Sequence, residues 1–316
     1  MCTSLTYTDT TGRPYFARTM DFPTTTPWRP IFLPRGYSWP TGLKTTRQTR
    51  YAILGGGRLP QNFASCLMAD GVNEAGLACA ELYLPHAVHY HSDEQPGTVN
   101  LTPQGFINWV LGEHTSVTEV LADLANVTLV AQLWGGDDQV YPFHWSLCDR
   151  SGHSVVLEPT AKLLTAQANP SGVLTNTPVL ARHLANLNHY LGVTGSQFSA
   201  TTVSAAKNWL KQQRPLPTGP LPTDRFIRTA IHRLGTAVLT PGQVQPTLLS
   251  WLAEVSLPYV PERESLSHNY THYRSIIDLQ ATTYHFMPRH SAQVRTIPLT
   301  KTMSTTWHVP FIYRAN

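Results

Sequence analysis

The order of strand-like and helix-like segments constrains the fold of this chain more than any other feature. Strand patterns occupy residues 2–84, 144–177 and 273–298, and helical patterns occupy residues 102–124 and 179–255. Two sheets covered by two helical layers fit this order, and neither an internal repeat nor a long linker interrupts it. The sequence therefore predicts an α+β fold in which residues 1–316 form a single domain.

Within the first strand-rich segment, residues 2–21 predict a hairpin with its turn at Asp9–Gly12. Residues 23–48, rich in Pro and Thr, predict a loop, and residues 51–57 predict a strand that runs into a flexible turn at Gly55–Gly57. Residues 63–68 and 76–84 predict a strand pair, joined by the turn formers of residues 70–76.

Three helix starts are indicated by capping residues. Thr102 precedes Pro103 as an N-cap, Ser116 begins a capping box, and Asp224 is the predicted N-cap of a helix that ends near Gly235. Arg225 and Arg228 then lie in the first turn, where a cation opposes the helix dipole. We expect at least one of them to face a carboxylate or an anionic ligand, although a solvated arginine is also common.

Composition excludes several classes of function. The formal charge of +4 is spread along the chain without a Lys/Arg block, so we expect neither a nucleic-acid partner nor a membrane partner. No apolar run approaches 18 residues and no secretory signal is visible, so we expect a cytoplasmic protein. The Gly55–Gly57 run lacks the dinucleotide-binding spacing, and we expect no cofactor.

Cys2 is the main candidate for chemistry. Removal of Met1 leaves a thiol and a free α-amine on the same residue, which is the arrangement of an N-terminal nucleophile beside its own base. The alternative is that a cysteine merely occupies the second position. Cys66, Cys79 and Cys148 lie in apolar strand patterns without metal-ligand spacing, and we expect buried free thiols there.

The hairpin brings Arg18 and Asp21 close to Cys2. A guanidinium near the sulfur favours the thiolate, and a carboxylate near the amine positions it; the alternative is an exposed ion pair on an edge strand. Asn176, at a strand end before Pro178, is a candidate oxyanion donor or simply a turn asparagine.

Two further clusters are weaker candidates. His86, His89 and His91 form the spacing H-x-x-H-x-H, but no metal-binding carboxylate motif accompanies them, and we expect no metal. Trp28, Trp39 and Trp134 lie in loop-like segments where a hydrophobic pocket can form. Met20 and Trp134 are the predicted substrate contacts, together with Tyr83.

The chain resembles the choloylglycine hydrolase family, whose members include bile salt hydrolases and penicillin V acylases and which lies within the N-terminal nucleophile hydrolases. The resemblance extends from residue 2 to about residue 300. The motifs that carry it are Cys2, R-T-M-D at 18–21, D-G-V-N-E-A-G-L at 70–77, S-G-H-S-V-V-L-E at 151–158, G-V-L-T-N-T-P at 172–178 and D-R-F-I-R at 224–228. It implies a four-layer αββα sandwich, removal of Met1 and a homotetramer.

By position, the resemblance implies that Cys2 is the nucleophile, that its amine carries the proton, and that Arg18 and Asp21 hold these two groups. It also implies an oxyanion hole of Asn176 and the Tyr83 N–H. Arg225 matches the family's active-site arginine, with Arg228, one helical turn away, as the alternative.

Two departures from the family pattern stand out. Thr19 replaces the usual asparagine, and we expect it to alter packing rather than chemistry. Tyr83 is the residue found in penicillin V acylases, where many bile salt hydrolases have asparagine, and its ring favours an aryl acyl group.

These features predict hydrolysis of a small-molecule amide, with penicillin V or a similar aryl-acetyl amide as the leading substrate. Conjugated bile salts and acyl-homoserine lactones are the alternative substrates. A binding protein for amphiphiles with the same fold is the non-enzyme alternative.

Overall fold

The computed structural model describes residues 2–23, 27–59, 66–133, 140–161, 163–261 and 268–314. The strands are β1 (Cys2–Thr8), β2 (Pro14–Phe22), β3 (Arg29–Leu33), β4 (Ser38–Pro40), β5 (Thr46–Gln48), β6 (Ile53–Arg58), β7 (Leu67–Met68), β8 (Asp70–Asn73), β9 (Ala78–Tyr83), β10 (Val99–Leu101), β11 (Val127–Leu129), β12 (Phe143–Cys148), β13 (Ser154–Glu158), β14 (Thr165–Ala168), β15 (Val173–Leu174), β16 (Tyr270–Asp278), β17 (Thr283–Pro288), β18 (Arg295–Pro298) and β19 (Phe311–Ile312). The α-helices are α1 (Phe106–Glu113), α2 (Val117–Asp123), α3 (Leu180–Leu191), α4 (Ala200–Lys211), α5 (Pro222–Gly235), α6 (Pro241–Glu254) and α7 (Lys301–Thr306).

Two large antiparallel sheets form the centre of the fold. The first has the order β15-β1-β2-β16-β17-β18, and the second has the order β14-β13-β12-β9-β8-β6-β3-β19, with β7 also paired to β6. Helices α5 and α6 pack on the first sheet with α3 and α4 beside α5, and α1 packs on the second sheet. These layers confirm the predicted αββα sandwich.

The core is divided by the second sheet. One hydrophobic cluster joins the first sheet to α3–α6 and fills the space between the sheets, and the other lies between the second sheet and α1 and α2. The Phe106 ring of α1, for example, packs 4.4 Å from the Trp145 ring of β12. All six residues of β12 are buried, because the two hydrophobic clusters cover both faces of the second sheet.

A buried carboxylate links the two sheets. Asp70 of β8 accepts hydrogen bonds from the Tyr273 hydroxyl (2.6 Å) and the Ser275 hydroxyl (2.6 Å) of β16. It also accepts hydrogen bonds from the Tyr284 hydroxyl of β17 (3.0 Å) and the Gly56 N–H of β6 (3.1 Å). Because all four partners are donors, the carboxylate is fully hydrogen-bonded although no solvent reaches it.

The prediction of a turn at Gly55–Gly57 is wrong, since these glycines lie inside β6. A Cβ on Gly55 would lie 2.1 Å from the Asp70 carbonyl oxygen, and a Cβ on Gly56 would lie 2.1 Å from the Tyr273 hydroxyl. The glycines therefore permit close approach of neighbouring strands and of the opposite sheet, a role that the local sequence does not reveal.

The predicted loop at residues 23–48 is also incorrect, because it contains β3, β4 and β5. The predicted turn at residues 70–76 begins with strand β8, whose pairing with β6 and β9 overrides the local turn chemistry. Part of the predicted strand at residues 63–68 lies outside the described residues.

Most predicted helix starts are confirmed. Thr102 caps a short 3₁₀ turn that leads into α1, and the Ser116 hydroxyl caps α2. The N-cap prediction for Asp224 is wrong: α5 begins at Pro222 with Leu221 as N-cap, and Asp224 lies in its first turn. Proline at the first helical position has no N–H to leave unpaired, so the helix starts there.

Candidate active site

The β1–β2 hairpin places Arg18 beside the Cys2 thiol. Cys2 is opposite Met20 and Ser4 is opposite Arg18, so the long Arg18 side chain reaches back along the strand pair. Its Nη2 donates to Cys2 Sγ at 2.9 Å, and its Nη1 donates to the Ala69 carbonyl at 2.5 Å. This buried guanidinium is thus held against the sulfur, where a positive charge stabilises a thiolate.

The other three cysteines lie in different surroundings. Their thiols are buried and free, as predicted, and the Cys2 thiol is also free. Burial raises the pKa of Cys66 and of Cys148 to about 12, and burial also raises the pKa of Cys79 well above its usual range. These three thiols therefore stay protonated and inert near neutral pH.

The backbone of Cys2 is fixed by Asn176 and Arg225. The Cys2 nitrogen donates to Asn176 Oδ1 at 2.6 Å, and Arg225 Nη2 donates to the same oxygen at 2.9 Å. Arg225 Nη1 donates to the Cys2 carbonyl at 2.7 Å and to the Thr3 hydroxyl at 2.6 Å. Because Arg225 belongs to α5, these hydrogen bonds fix the start of β1 against that helix.

Asp21 occupies the face of β2 opposite Arg18. Its carboxylate accepts from the Thr271 hydroxyl at 2.6 Å and from the Thr19 hydroxyl at 3.2 Å, and it lies 3.8 Å from Arg225 Nη1. The sheet register shifts between Thr271 and Tyr273, which brings Thr271 opposite Asp21. The Cys2 nitrogen donates to Asn176, and the Asp21 backbone carbonyl accepts from the Cys2 thiol at 3.7 Å.

Asn176 and Tyr83 converge from two different elements. Asn176 follows β15 and donates from Nδ2 to the Tyr83 carbonyl at 2.8 Å. An amide nitrogen carries two hydrogens, so Nδ2 retains a second donor. The Leu84 N–H donates to Pro142 on the β12 side, and backbone N–H groups alternate along an antiparallel strand. The Tyr83 N–H therefore points away from β12, as does that of Glu81, which donates to Ala69.

A buried network behind Asn176 was not predicted from the sequence. His183 Nε2 lies 2.8 Å from the Asn176 carbonyl, and His144 Nε2 lies 2.8 Å from the Thr175 carbonyl. Glu158 lies 3.2 Å from His144 Nδ1 and accepts from the Leu180 N–H at 2.9 Å. Burial lowers the pKa of His183 to about 4, so its ring is neutral and fits a structural role.

Arg228 lies away from Cys2. Its guanidinium donates to the backbone carbonyls of Pro217, Gly219 and Glu254, and it thereby ties the loop before α5 to the end of α6. Of the two arginines that the sequence left open, the structure places Arg225 at the site.

An apolar cleft opens beside Cys2, and Tyr83 lies at its rim. Its apolar wall consists of Met20, Phe22, Trp28, Leu67, Tyr141 and Phe143. Tyr141 and Phe143 are stacked at 5.6 Å, and the Phe22 ring lies 5.8 Å from that of Tyr141.

The sequence predicts Met20 and Tyr83 as substrate contacts and Trp28 as part of a hydrophobic pocket, and all three line this cleft. Trp39 does not, because it is buried in the second hydrophobic cluster, and Trp134 lies outside the described residues.

Two other sequence features can be compared with the structure. Across the described residues, His86, His89 and His91 included, no three His, Cys, Asp or Glu side chains are grouped closely enough to hold a metal ion. Within the same ranges, none of the helices has the length and apolar composition needed to cross a bilayer.

The αββα sandwich is the fold of the N-terminal nucleophile hydrolases. The chain belongs to the linear amide C–N hydrolases of the choloylglycine hydrolase family, whose family model matches residues 2–306. The resemblance found in the sequence is thereby confirmed.

Among its relatives is a bile salt hydrolase/transferase from Clostridium perfringens, 34% identical over 242 residues that cover 74% of this chain and 72% of that protein. A mutant of conjugated bile acid hydrolase from Clostridium perfringens superposes with a TM-score of 0.82 at 27% identity, covering 100% of this chain and 97% of that chain. A penicillin V acylase from Pectobacterium atrosepticum is 24% identical over 251 residues, covering 73% of this chain and 62% of that protein.

Proposed function

We propose that this protein is an N-terminal cysteine amide hydrolase with Cys2 as the nucleophile, after removal of Met1. One observation carries the proposal: Cys2 presents its sulfur to Arg18 at 2.9 Å and its nitrogen to Asn176 at 2.6 Å, at the edge of an aromatic cleft. Once Met1 is removed, this thiol and this nitrogen, each held by a separate partner, place a nucleophile beside its own amine, as covalent amide hydrolysis requires.

The reaction begins when the α-amine of Cys2 takes the thiol proton and the thiolate attacks the amide carbon. The carbonyl oxygen becomes an oxyanion, which Asn176 Nδ2 and the Tyr83 N–H stabilise. The C–N bond then breaks as the protonated α-amine of Cys2 gives its proton to the leaving nitrogen, and a thioester remains. Water attacks the thioester and loses a proton to the same amine, which releases the acid and restores the thiolate.

For the acyl group we propose an aryl-acetyl moiety such as that of penicillin V. Rings from Phe22, Trp28, Tyr141 and Phe143 line the cleft, and Tyr83 adds a fifth at its rim. Flat aromatic walls bind a flat acyl group through offset and edge-to-face contacts. Conjugated bile salts are the second candidate, supported by the 34% identity to the bile salt hydrolase/transferase.

Purified protein assayed in parallel with penicillin V, glycocholate and taurocholate separates these candidates. We expect amine release from all cleaved substrates and a higher kcat/KM for penicillin V. Preferential release of glycine or taurine would reverse the substrate order while retaining the mechanism. Binding of all three without any amine release would favour the amphiphile-binding alternative.

Asn176→Ala should reduce kcat on the order of a hundredfold, because it removes one oxyanion donor. Steady-state kinetics on protein verified as folded measures this effect. Asn188→Ala is a matched control, since Asn188 is also buried but its side chain bonds, among the described residues, to Gly195, Gln197 and Thr202 rather than to the site. That variant should lose stability and keep its kcat; an unchanged kcat in Asn176→Ala would contradict the assignment.

A further inference from the structure

Three polar side chains line the cleft, although most of the residues around them are apolar. They are Arg58 at the end of β6, Glu81 within β9 and Gln104 in the turn before α1. Their exposed fractions are 9%, 6% and 3%. Buried polar groups in proteins are normally hydrogen-bonded, because an unpaired one loses its interactions with water without replacement.

These side chains depart from that rule. Among the described residues, Arg58 Nε, Glu81 Oε2 and both amide atoms of Gln104 have no hydrogen-bond partner, and neither does the indole N–H of Trp28 on the same cleft. Buried carboxylates elsewhere are well satisfied: Asp70 accepts four hydrogen bonds, and Glu158 bonds to Leu180 and Gln167. Arg58, Glu81 and Gln104 thus line the same cleft as Cys2, and each carries a buried polar atom that no neighbouring group satisfies.

The charges around this space indicate which group fits it. Burial raises the pKa of Glu81 well above its usual range, although the positive charges of Arg18 and Arg58 act to lower it. The Arg58 guanidinium lies 5.3 Å from the Phe22 ring centroid and 5.6 Å from that of Trp28. A ligand ammonium would meet the Arg58 cation, and an apolar group would leave the buried polar atoms unpaired. A neutral hydroxyl can both donate to a carboxyl or amide oxygen and accept from an N–H, so it suits all three side chains.

We propose that Arg58, Glu81 and Gln104 form a polar subsite that binds a hydroxyl group on the acyl part of the substrate. The cleft then selects hydroxylated acyl groups over otherwise identical groups without the hydroxyl. This inference rests on the proposed function, because it assigns the cleft to the acyl part. Sites that hydrogen-bond a ligand hydroxyl discriminate strongly, since the analogue that lacks it leaves buried polar atoms unpaired.

Binding of the product acids tests the subsite without turnover. Calorimetry on the Cys2→Ala protein compares 4-hydroxyphenoxyacetic acid with phenoxyacetic acid, and cholic acid with its analogue lacking ring hydroxyls. We expect the hydroxylated acid to bind about tenfold or more tightly in at least one pair. Equal affinities in both pairs, or no binding in either, would overturn the proposal. Amine release by the unmodified protein is measured separately, so failure of the subsite and failure of the proposed mechanism are distinguishable.

Variants identify the residues responsible. Glu81→Leu and Gln104→Leu should each reduce the preference to about twofold or less, whereas Glu81→Gln, which keeps a carbonyl oxygen and adds donors, should retain part of it. Asn108→Leu is the matched control: Asn108 lies on α1, its Oδ1 is also buried without a partner among the described residues, and it does not line this cleft. It should bind like the parent protein.

Thermal unfolding of each variant confirms that binding is measured on folded protein. A preference that survives in both leucine variants would show that the unpaired atoms are hydrated rather than used for ligand recognition, and the proposal would fall.

Discussion

A Cys2→Ala protein should fold normally and release no amine from any acyl amide. Alanine removes the thiol that Arg18 contacts at the cleft; the Met20 thioether also contacts Arg18, but it has no proton to lose, and without a thiolate nucleophile no thioester forms. Cys2→Ser should retain only slow turnover, because a hydroxyl ionises far less readily than a thiol. Amine release and thermal unfolding measured on the same preparations check both expectations.

Cys148→Ala is the matched control for this result. Its thiol is buried between the sheets and their helices, with a pKa raised by burial to about 12, so its loss should reduce stability and leave turnover intact. Intact-mass measurement of the active enzyme should find Met1 absent. Full activity of Cys2→Ala, or an active enzyme with a blocked amino terminus, would refute the mechanism.

Asp70→Ala should lower the free energy of unfolding by about 3–5 kcal/mol, because it leaves buried donors without an acceptor. The Tyr273, Ser275 and Tyr284 hydroxyls all lose their shared partner, and they belong to the sheet that also carries Cys2. Urea denaturation followed by fluorescence measures the change. Activity should fall in parallel with the folded fraction, because Asp70 touches neither the thiol nor its amine.

Asp123→Ala provides the comparison for an exposed carboxylate. Asp123 lies 3.2 Å from His114 Nε2, but its side chain is 62% exposed, so its loss should cost about 1 kcal/mol or less. If Asp70→Ala and Asp123→Ala lost the same small amount, the two sheets would not depend on the buried carboxylate.

The fold class and the part of the site on the β1–β2 hairpin could be predicted from the sequence. The hairpin that carries Cys2, Arg18 and Asp21 is encoded by short-range signals, namely a turn at Asp9–Gly12 between two β-rich runs. The helix signals at Thr102 and Ser116 are likewise local. Asn176 and Arg225 were candidates from their local sequence, and the resemblance to a family added Tyr83 and the roles of all three residues, which no local pattern connects.

Errors arose where tertiary contacts override local preference. Gly55–Gly57 have the composition of a turn, but they form a strand because the opposite sheet approaches too closely for a side chain. Asp224 is a good N-cap residue, but Pro222 starts the helix earlier. The polar character of Glu81 and Gln104 gave no signal, because their significance depends on the apolar cleft around them.

The sequence alone therefore determined which residues are chemically able to act and which segments form the hairpin beside Cys2, because turns and caps depend on neighbours only a few residues away. Only the tertiary structure decided that Arg225 rather than Arg228 reaches Cys2, and that Asn176 accepts from its nitrogen. Arg225 is 223 residues from Cys2, and Asn176 is 174 residues from it. Contacts over such separations are fixed by how sheets and helices pack, and no short stretch of sequence encodes that packing.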